Sequence, residues 1–312
     1  MMNLRPFGTT GMQVSEIGLG AWQLANPSWG MDDKGEALRI VQQSLAAGCN
    51  FFDTAPGYGN GVSEELLGQG LASARKDVII CTKFGYSPEG VQNFSTENIR
   101  PILEGSLRRL RTDYVDILLL HNPARELMDG RTATQYAELE QLKKEGKIRE
   151  YGVSLDWKIE LETVIETTTS NAIELMYNVF YQEPRDAFTM AQERGAGLII
   201  KVPLDSGWLS GRYRGDSRFT DVRERWSPEV IARRAALLEQ FAALVPPGVS
   251  LAHAALQYIL AHPAISTIVP GAKTVAQALD NFAAADSRLP ADVVRAIDGL
   301  WEGELKDNPL PW

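Results

Sequence analysis

Cysteine and histidine are scarce, with two of the first and three of the second in 312 residues. Cys49 and Cys81 both fall in apolar, strand-like stretches. They read as small core residues of a reducing compartment, not as a disulfide or a metal pair, and no metal site is expected. Basic residues are outnumbered, 31 Lys and Arg against 40 Asp and Glu, for a formal charge of −9. That balance excludes the electrostatic footprint of a nucleic-acid partner. No basic run could dock the chain on a membrane, and no apolar run reaches the roughly 18 residues of a membrane span. The first residues, Met1-Met2-Asn3-Leu4-Arg5-Pro6, lack the apolar stretch of a signal peptide, so a cytoplasmic location is expected. Low-complexity segments are also missing.

What is present is a 44% hydrophobic chain in which short apolar runs alternate with longer amphipathic segments. Residues 3–7 and 12–16 read as a short hairpin around Gly8-Thr9-Thr10-Gly11. Strands are expected at 16–19, 50–54, 78–83, 115–121, 148–153, 172–176, 197–202 and 266–269. Helices are expected at 33–47, 62–74, 96–110, 132–145, 158–169, 184–194, 229–261 (broken at Pro246-Pro247-Gly248) and 274–285. Continuous Val/Ile/Leu strands suit a parallel sheet buried on both faces. Eight such units predict an α/β fold: a (β/α)8 TIM barrel with a short N-terminal hairpin, forming one domain over 1–312.

Thr274-Val275-Ala276-Gln277 reads as a capping box, and Ser227-Pro228 as an N-cap followed by Pro at the first helical position. Gly48, Gly146 and Gly195 sit where helices end. Three stretches exceed the minimal repeat: 20–31 with Trp22 and Trp29, 203–228 with Trp208, Tyr213 and Trp226, and the tail 286–312 with Trp301 and Trp312. The first two follow strands, so they form long loops over the C-terminal face, where barrel active sites lie. Trp22 is expected to line a substrate site; the other rings read equally well as caps on the barrel ends.

The chemistry centres on Asn50-Phe51-Phe52-Asp53-Thr54-Ala55-Pro56-Gly57-Tyr58-Gly59, an apolar run that ends in a carboxylate and carries a tyrosine five residues on. Two later strands end in Lys83 and His121. Strand residues i and i+2 face the same side. If Asp53 faces the barrel interior, so does Phe51; Lys83 goes with Cys81 and Ile79, and His121 with Leu119 and Ile117. Taken singly, Asp53 could be a turn residue, Lys83 a snorkelling strand-end lysine and His121 a satisfied core histidine. Together, at matched strand ends with the same parity, they form a proton-transfer set. An ammonium beside Tyr58 is expected to lower the phenol from its usual pKa of about 10. Tyr58 would then donate a proton, Asp53 would hold Lys83 charged, and His121 would bond a carbonyl oxygen. Such a site suits carbonyl reduction with a hydride-donating cofactor.

At these residues the chain resembles the aldo-keto reductase superfamily over nearly its whole length. The resembling blocks are Asp53-Thr54-Ala55-Pro56-Gly57-Tyr58-Gly59, Ser63-Glu64-Glu65-Leu66-Leu67-Gly68, Thr82-Lys83, His121-Asn122-Pro123, Gly152-Val153-Ser154, Tyr177-Asn178, Pro203-Leu204-Asp205-Ser206-Gly207 and Pro270-Gly271-Ala272-Lys273-Thr274. The resemblance implies an oxidoreductase that reduces an aldehyde or ketone, or runs the reverse reaction on a sugar or alcohol, with Tyr58 as general acid. It implies NADP(H) in preference to NAD(H). Gly20 and Ala21 would lie near the cofactor and Ser154 against the carboxamide. The loop with Pro203, Leu204, Ser206, Gly207 and Leu209 would cover the pyrophosphate. Lys273 and Thr274, after Gly271, would meet the 2′-phosphate, with Gln277 and Asn281 toward the adenine. A cation beside a helix N-terminus opposes the macrodipole, so a bound anion at Lys273 would relieve a conflict. Trp22 and Trp157, with Tyr58 and His121, suggest an aromatic-walled substrate pocket. The partner is a small carbonyl or alcohol, and many such proteins are monomers.

Three positions depart from the family pattern: Leu155 after Ser154, Glu174 before the Tyr-Asn pair, and Lys201 two before Pro203. All three are expected in the nicotinamide pocket, and Lys201 is expected to pair with Glu174. Two rival readings are a barrel lyase using Lys83 or Lys201 as a Schiff base and a nicotinamide-binding regulatory subunit with little turnover.

Overall fold

A computed structural model describes residues 2–27 and 31–311; Trp29 and Trp312 lie outside the described residues. The N-terminal hairpin pairs β1 (Leu4–Pro6) with β2 (Gln13–Ser15) in antiparallel register. Eight parallel strands follow: β3 (Leu19–Gly20), β4 (Phe51–Asp53), β5 (Ile79–Phe84), β6 (Val115–His121), β7 (Ile148–Leu155), β8 (Ala172–Met176), β9 (Gly197–Lys201) and β10 (Ile265–Ile268). They run in chain order, each bonded to the next. The sheet closes on itself: Ile17 bridges Ile268, Gly20 bridges Gly271, and Gly18 N donates to Ile268 O at 2.8 Å. This is the (β/α)8 barrel expected from the alternation of runs.

The helices are α1 (Lys34–Ala46), α2 (Val62–Gly70), α3 (Thr96–Leu110), α4 (Gln135–Lys144), α5 (Lys158–Thr167), α6 (Phe188–Arg194), α7 (Pro228–Leu244), α8 (Leu251–Leu260), α9 (Val275–Ala283) and α10 (Ala291–Leu300). Pro246-Pro247 separates α7 from α8, since proline can neither donate to a helix nor let the preceding residue stay helical. Ser227 Oγ accepts from Val230 N, and Thr274 Oγ1 accepts from Gln277 N at 3.1 Å. The Gln277 side chain accepts from Lys273 N, one residue ahead of the position a capping box uses. Gly48, Gly146 and Gly195 all take positive φ at helix ends. Among the described residues, no helix is long and apolar enough to cross a membrane.

Strand parity sorts the side chains into two layers. Phe51, Ile79, Cys81, Ile117, Leu119, Ala172, Ile199 and Val269 fill the barrel interior, together with Phe7, Met12 and Val14 of the hairpin. The alternate residues pack outward against the helices. The hairpin thus plugs the N-terminal end. Phe7 sits so close to Gly197 that a Cβ there would lie 2.6 Å from its ring, which requires glycine at the start of β9. Burying a Phe of this kind contributes about 1.5–3 kcal/mol. Both cysteines are buried and free, and burial pushes the Cys49 thiol up to about 12.

Two of the surplus stretches take definite places in the fold. The tail forms α10, with Ile297 and Leu300 turned into the core. Asp298 accepts from Arg185 at 2.6 Å and from Tyr258 at 2.8 Å, which ties α10 to the barrel. In the 203–228 stretch, Trp208 and Trp226 are buried in the outer core. The reason is Arg234 of α7, which lies fully buried over the Trp226 ring (4.1 Å to its centre), pairs with Asp205 and donates to Pro311 O at 2.9 Å. One guanidinium therefore joins the loop after β9, helix α7 and the end of the tail.

Candidate active site

The interior files end in polar groups at the C-terminal mouth. Asp53 follows Phe51, Lys83 follows Cys81, and His121 follows Leu119. The same parity brings in Glu174 after Ala172 and Lys201 after Ile199. Above these ends opens a cavity of about 900 Å³. Its walls include Gly20, Trp22, Asp53, Tyr58, His121, Glu174 and Lys201, then Pro203, Leu204, Ser206 and Gly207, and finally Gly271, Lys273, Gln277 and Asn281. Fifteen of the residues expected from sequence therefore face one space.

Six do not. Lys83 lies just beneath the floor, fully buried. Ala21 is buried and its N–H donates to Asp53 O at 2.8 Å. Ser154 is buried below Lys201. Leu209 belongs to the outer core and not to the cavity wall. Thr274 is exposed, its hydroxyl spent on capping α9. Trp157, expected in the substrate pocket, instead points to solvent and packs edge-on against Tyr181 at 6.1 Å. It is the N-cap residue just before α5.

Lys83 holds the floor together. Its ammonium pairs with Asp53, donates to Thr54 O at 3.0 Å and stands 3.3 Å from Glu174. Burial opposes the charge on Lys83, but Asp53 and then Glu174 outweigh it and hold its pKa well above the ordinary value. Two carboxyls share this one cation. Burial, against the pull of Lys83, pushes Asp53 up to about 7. For Glu174 burial also pushes upward, but Lys83 and Lys201 prevail and hold it down. The two therefore titrate as a pair, one negative charge held firmly and the second gained only above about pH 7.

Lys201 does not pair with Glu174, contrary to expectation. It donates to Asn122 Oδ1 at 2.7 Å and Ser154 Oγ at 2.9 Å, and pairs with Asp156 at 3.1 Å. Register explains this. On β8 and β9, Glu174 lies opposite Ile199 and Met176 opposite Lys201, so Lys201 stands two residues nearer the mouth. That offset is roughly 6.6 Å along the strand.

The Tyr58 ring lies 5.4 Å from the Lys83 ammonium and 5.8 Å from the His121 ring. Trp22 flanks it at 6.3 Å, and Tyr86 packs on the other side of His121 at 5.4 Å. The expected lowering of the Tyr58 pKa is overturned. Enclosure raises it well above 10; the Lys83 charge pulls down but is opposed by Asp53 and Glu174. Tyr58 therefore keeps its proton at neutral pH, and whatever it donates it donates by placement. Burial and the neighbouring Lys83 push His121 down to about 3, so its imidazole is neutral. In ¹⁵N-resolved NMR, the His121 ring is expected to show no protonation between pH 8 and 5. A titration near 6.5 would mean that the site is open to bulk water.

At the far end of the cavity the chain is cationic. Arg212, Arg223 and Arg225 line it beside Lys273. Burial, then Arg223 and Arg212, lower the Lys273 pKa. Between the two ends the backbone is strained: Val202, Asp205 and Ser206 all take positive φ, at 54°, 47° and 53°. An elongated ligand, anionic at one end, fits this space. Asn122, Asp156 and the arginines were missed in the sequence. A signal for the arginines was there: five fall between 212 and 225 in an acidic chain.

The sequence model of the aldo/keto reductase family matches residues 16–302. The chain belongs to the aldo/keto reductase family. It is 32% identical over 292 residues to L-galactose dehydrogenase of Arabidopsis thaliana, covering 91% of this chain and 88% of that one. It is 26% identical over 335 residues to the NADH-specific methylglyoxal reductase of Escherichia coli strain K12, covering 94% and 98%. Among solved structures, the holo form of an aldo-keto reductase from Bacillus halodurans superposes with a TM-score of 0.82 at 29% identity, over 96% of both chains. Aldo/keto reductases are oxidoreductases that use nicotinamide cofactors.

Proposed function

We propose that this aldo/keto reductase uses NADP(H) to reduce an aldehyde or ketone, with Tyr58 as general acid. The observation that carries the reading is one continuous cavity with Tyr58 and His121 at one end and the Lys273–Arg212–Arg223 cluster at the other. The cofactor would supply the hydride. Neutral His121 offers an N–H to the carbonyl oxygen and fixes its position. Tyr58 gives its proton to that oxygen as negative charge grows there. Lys83 meets the phenolate that remains, and Asp53 and Glu174 keep Lys83 charged and in place. Trp22 covers the mouth on the substrate side. Asn281 and Gln277 would bound the adenine. The strained 202–207 backbone would carry the pyrophosphate.

The cationic end supports NADP(H) over NAD(H), because only the first has a 2′-phosphate to meet Lys273. Replacing Lys273 by Met is expected to weaken NADPH by about 10–100-fold, the value of a charge-assisted hydrogen bond. NADH affinity should change by less than about twofold. Calorimetric titration of both nucleotides checks this; equal losses, or a wild type that prefers NADH, would remove the NADP(H) assignment. A Schiff-base mechanism finds no support, since it needs a neutral amine. Lys83 is held charged by two carboxyls, and Lys201 is paired with Asp156.

A further inference from the structure

The floor of the cavity holds one more carboxyl than the ammonium beside it can neutralise. Asp53 and Glu174 both approach Lys83, while Lys201 is matched separately by Asp156. Glu174 is 2% exposed, yet it lines the cavity. On the reading given above, a hydride must reach a carbonyl carbon whose oxygen is held at Tyr58 and His121. The donor ring must then occupy the stretch of cavity between those two residues and Pro203, which Glu174 and Lys201 border.

We propose that Glu174 is a charge-tuning residue for the bound cofactor, favouring its oxidised, cationic nicotinamide over the reduced, neutral one, and so making the reduced form a stronger hydride donor in this site. The balance is simple. Reduction moves a hydride, with its two electrons, to the carbonyl carbon and a proton from Tyr58 to the oxygen. The carbonyl is reduced to an alcohol, the dihydronicotinamide is oxidised, and its ring is left with one positive charge. A buried carboxylate nearby stabilises that charge. Lys201, on the other side of the floor, acts in the opposite sense.

The charge is pH-dependent. The groups facing Glu174 are Asp53, Tyr58, Cys81 and Lys83 from β4, β5 and the loop between them, His121 from β6, Ser154 from β7 and Lys201 from β9. Tyr58 and Cys81 stay protonated, both pushed up by burial, and His121 stays neutral. The Asp53–Glu174 pair therefore carries the change, holding a proton below about pH 7 and releasing it above.

The test is calorimetric titration of wild type, Glu174→Gln and Lys201→Met with NADP⁺ and with NADPH at pH 6 and pH 8. Glu174→Gln keeps the shape of the side chain and its capacity to bond Ser154. At pH 8 it should weaken NADP⁺ about tenfold while NADPH changes less than about twofold, as expected for one charge at close range in a partly shielded site. Lys201→Met should shift the NADP⁺/NADPH affinity ratio the other way. In wild type the ratio should favour NADP⁺ more at pH 8 than at pH 6, and in Glu174→Gln it should be flat. Titration of the 2′-phosphate affects both nucleotides and cancels in the ratio. Equal changes for both nucleotides, or shifts of the same sign in the two variants, would show a packing role and overturn the proposal. A wild type that binds neither nucleotide would overturn the cofactor reading itself, and this inference with it.

Discussion

Replacing Tyr58 by Phe should lower kcat for aldehyde reduction by about 10²–10⁴-fold, the usual contribution of a placed general acid. NADPH affinity should stay within about twofold. The ring is retained, so its contacts with Trp22 and His121 survive. Only the hydroxyl is lost, and no neighbour can replace it. His121 is neutral and holds its remaining proton far too tightly to give it up. Lys83 lies below the floor, engaged by Asp53, Thr54 and Glu174. NADPH oxidation over a panel of aldehydes, beside a binding titration, makes the check. A variant that keeps more than a tenth of wild-type kcat would remove Tyr58 from the acid role and point to a water-borne proton.

The second large effect concerns stability. Lys83→Met should destabilise the fold by about 3–5 kcal/mol, because it strands two buried carboxyls without their cation. The loss should depend on pH. Asp53 already lies above its usual value; without Lys83, burial would raise it further and raise Glu174 too, against the pull of Lys201. A carboxyl raised in this way binds its proton more tightly when folded, so stability falls as pH climbs through the gap. Urea denaturation should therefore show a larger deficit at pH 8 than at pH 5. The same deficit at both pH values, or one below about 1 kcal/mol, would mean that water reaches Asp53 and Glu174 and that the floor is not dry.

Much of this site could be read from residues alone. Asp53, Lys83 and His121 were legible because strand parity is strict: once Phe51, Cys81 and Leu119 are inside, the residues two further on must face the mouth. Glu174 and Lys201 came instead from the family resemblance, and the pairing expected between them is absent. Which residues lie level across a sheet depends on register, and register is set by strand pairing that no single run displays. The Tyr58 pKa was misjudged for a related reason. Sequence shows that a cation is near, but not how far the phenol is withdrawn from water or that a second carboxyl stands behind the first. Trp208 and Trp226 were open to either reading, because the loop that carries them is anchored by Arg234, a helix residue far along the chain. Trp157 was expected in an aromatic-walled pocket with Trp22, Tyr58 and His121, but it is exposed at the start of α5.

Arg234 has a practical corollary. The first and last described residues lie at opposite poles of the barrel. Residues before β1 emerge beside the hairpin plug, whereas Pro311 is tied through Arg234 to Asp205, between Leu204 and Ser206 of the cavity wall. A bead, electrode or fusion partner coupled through the first pole would leave the entrance clear. Coupled through the second, it would press on the segment whose strained backbone borders the entrance, and would be felt there before it was felt anywhere in the core.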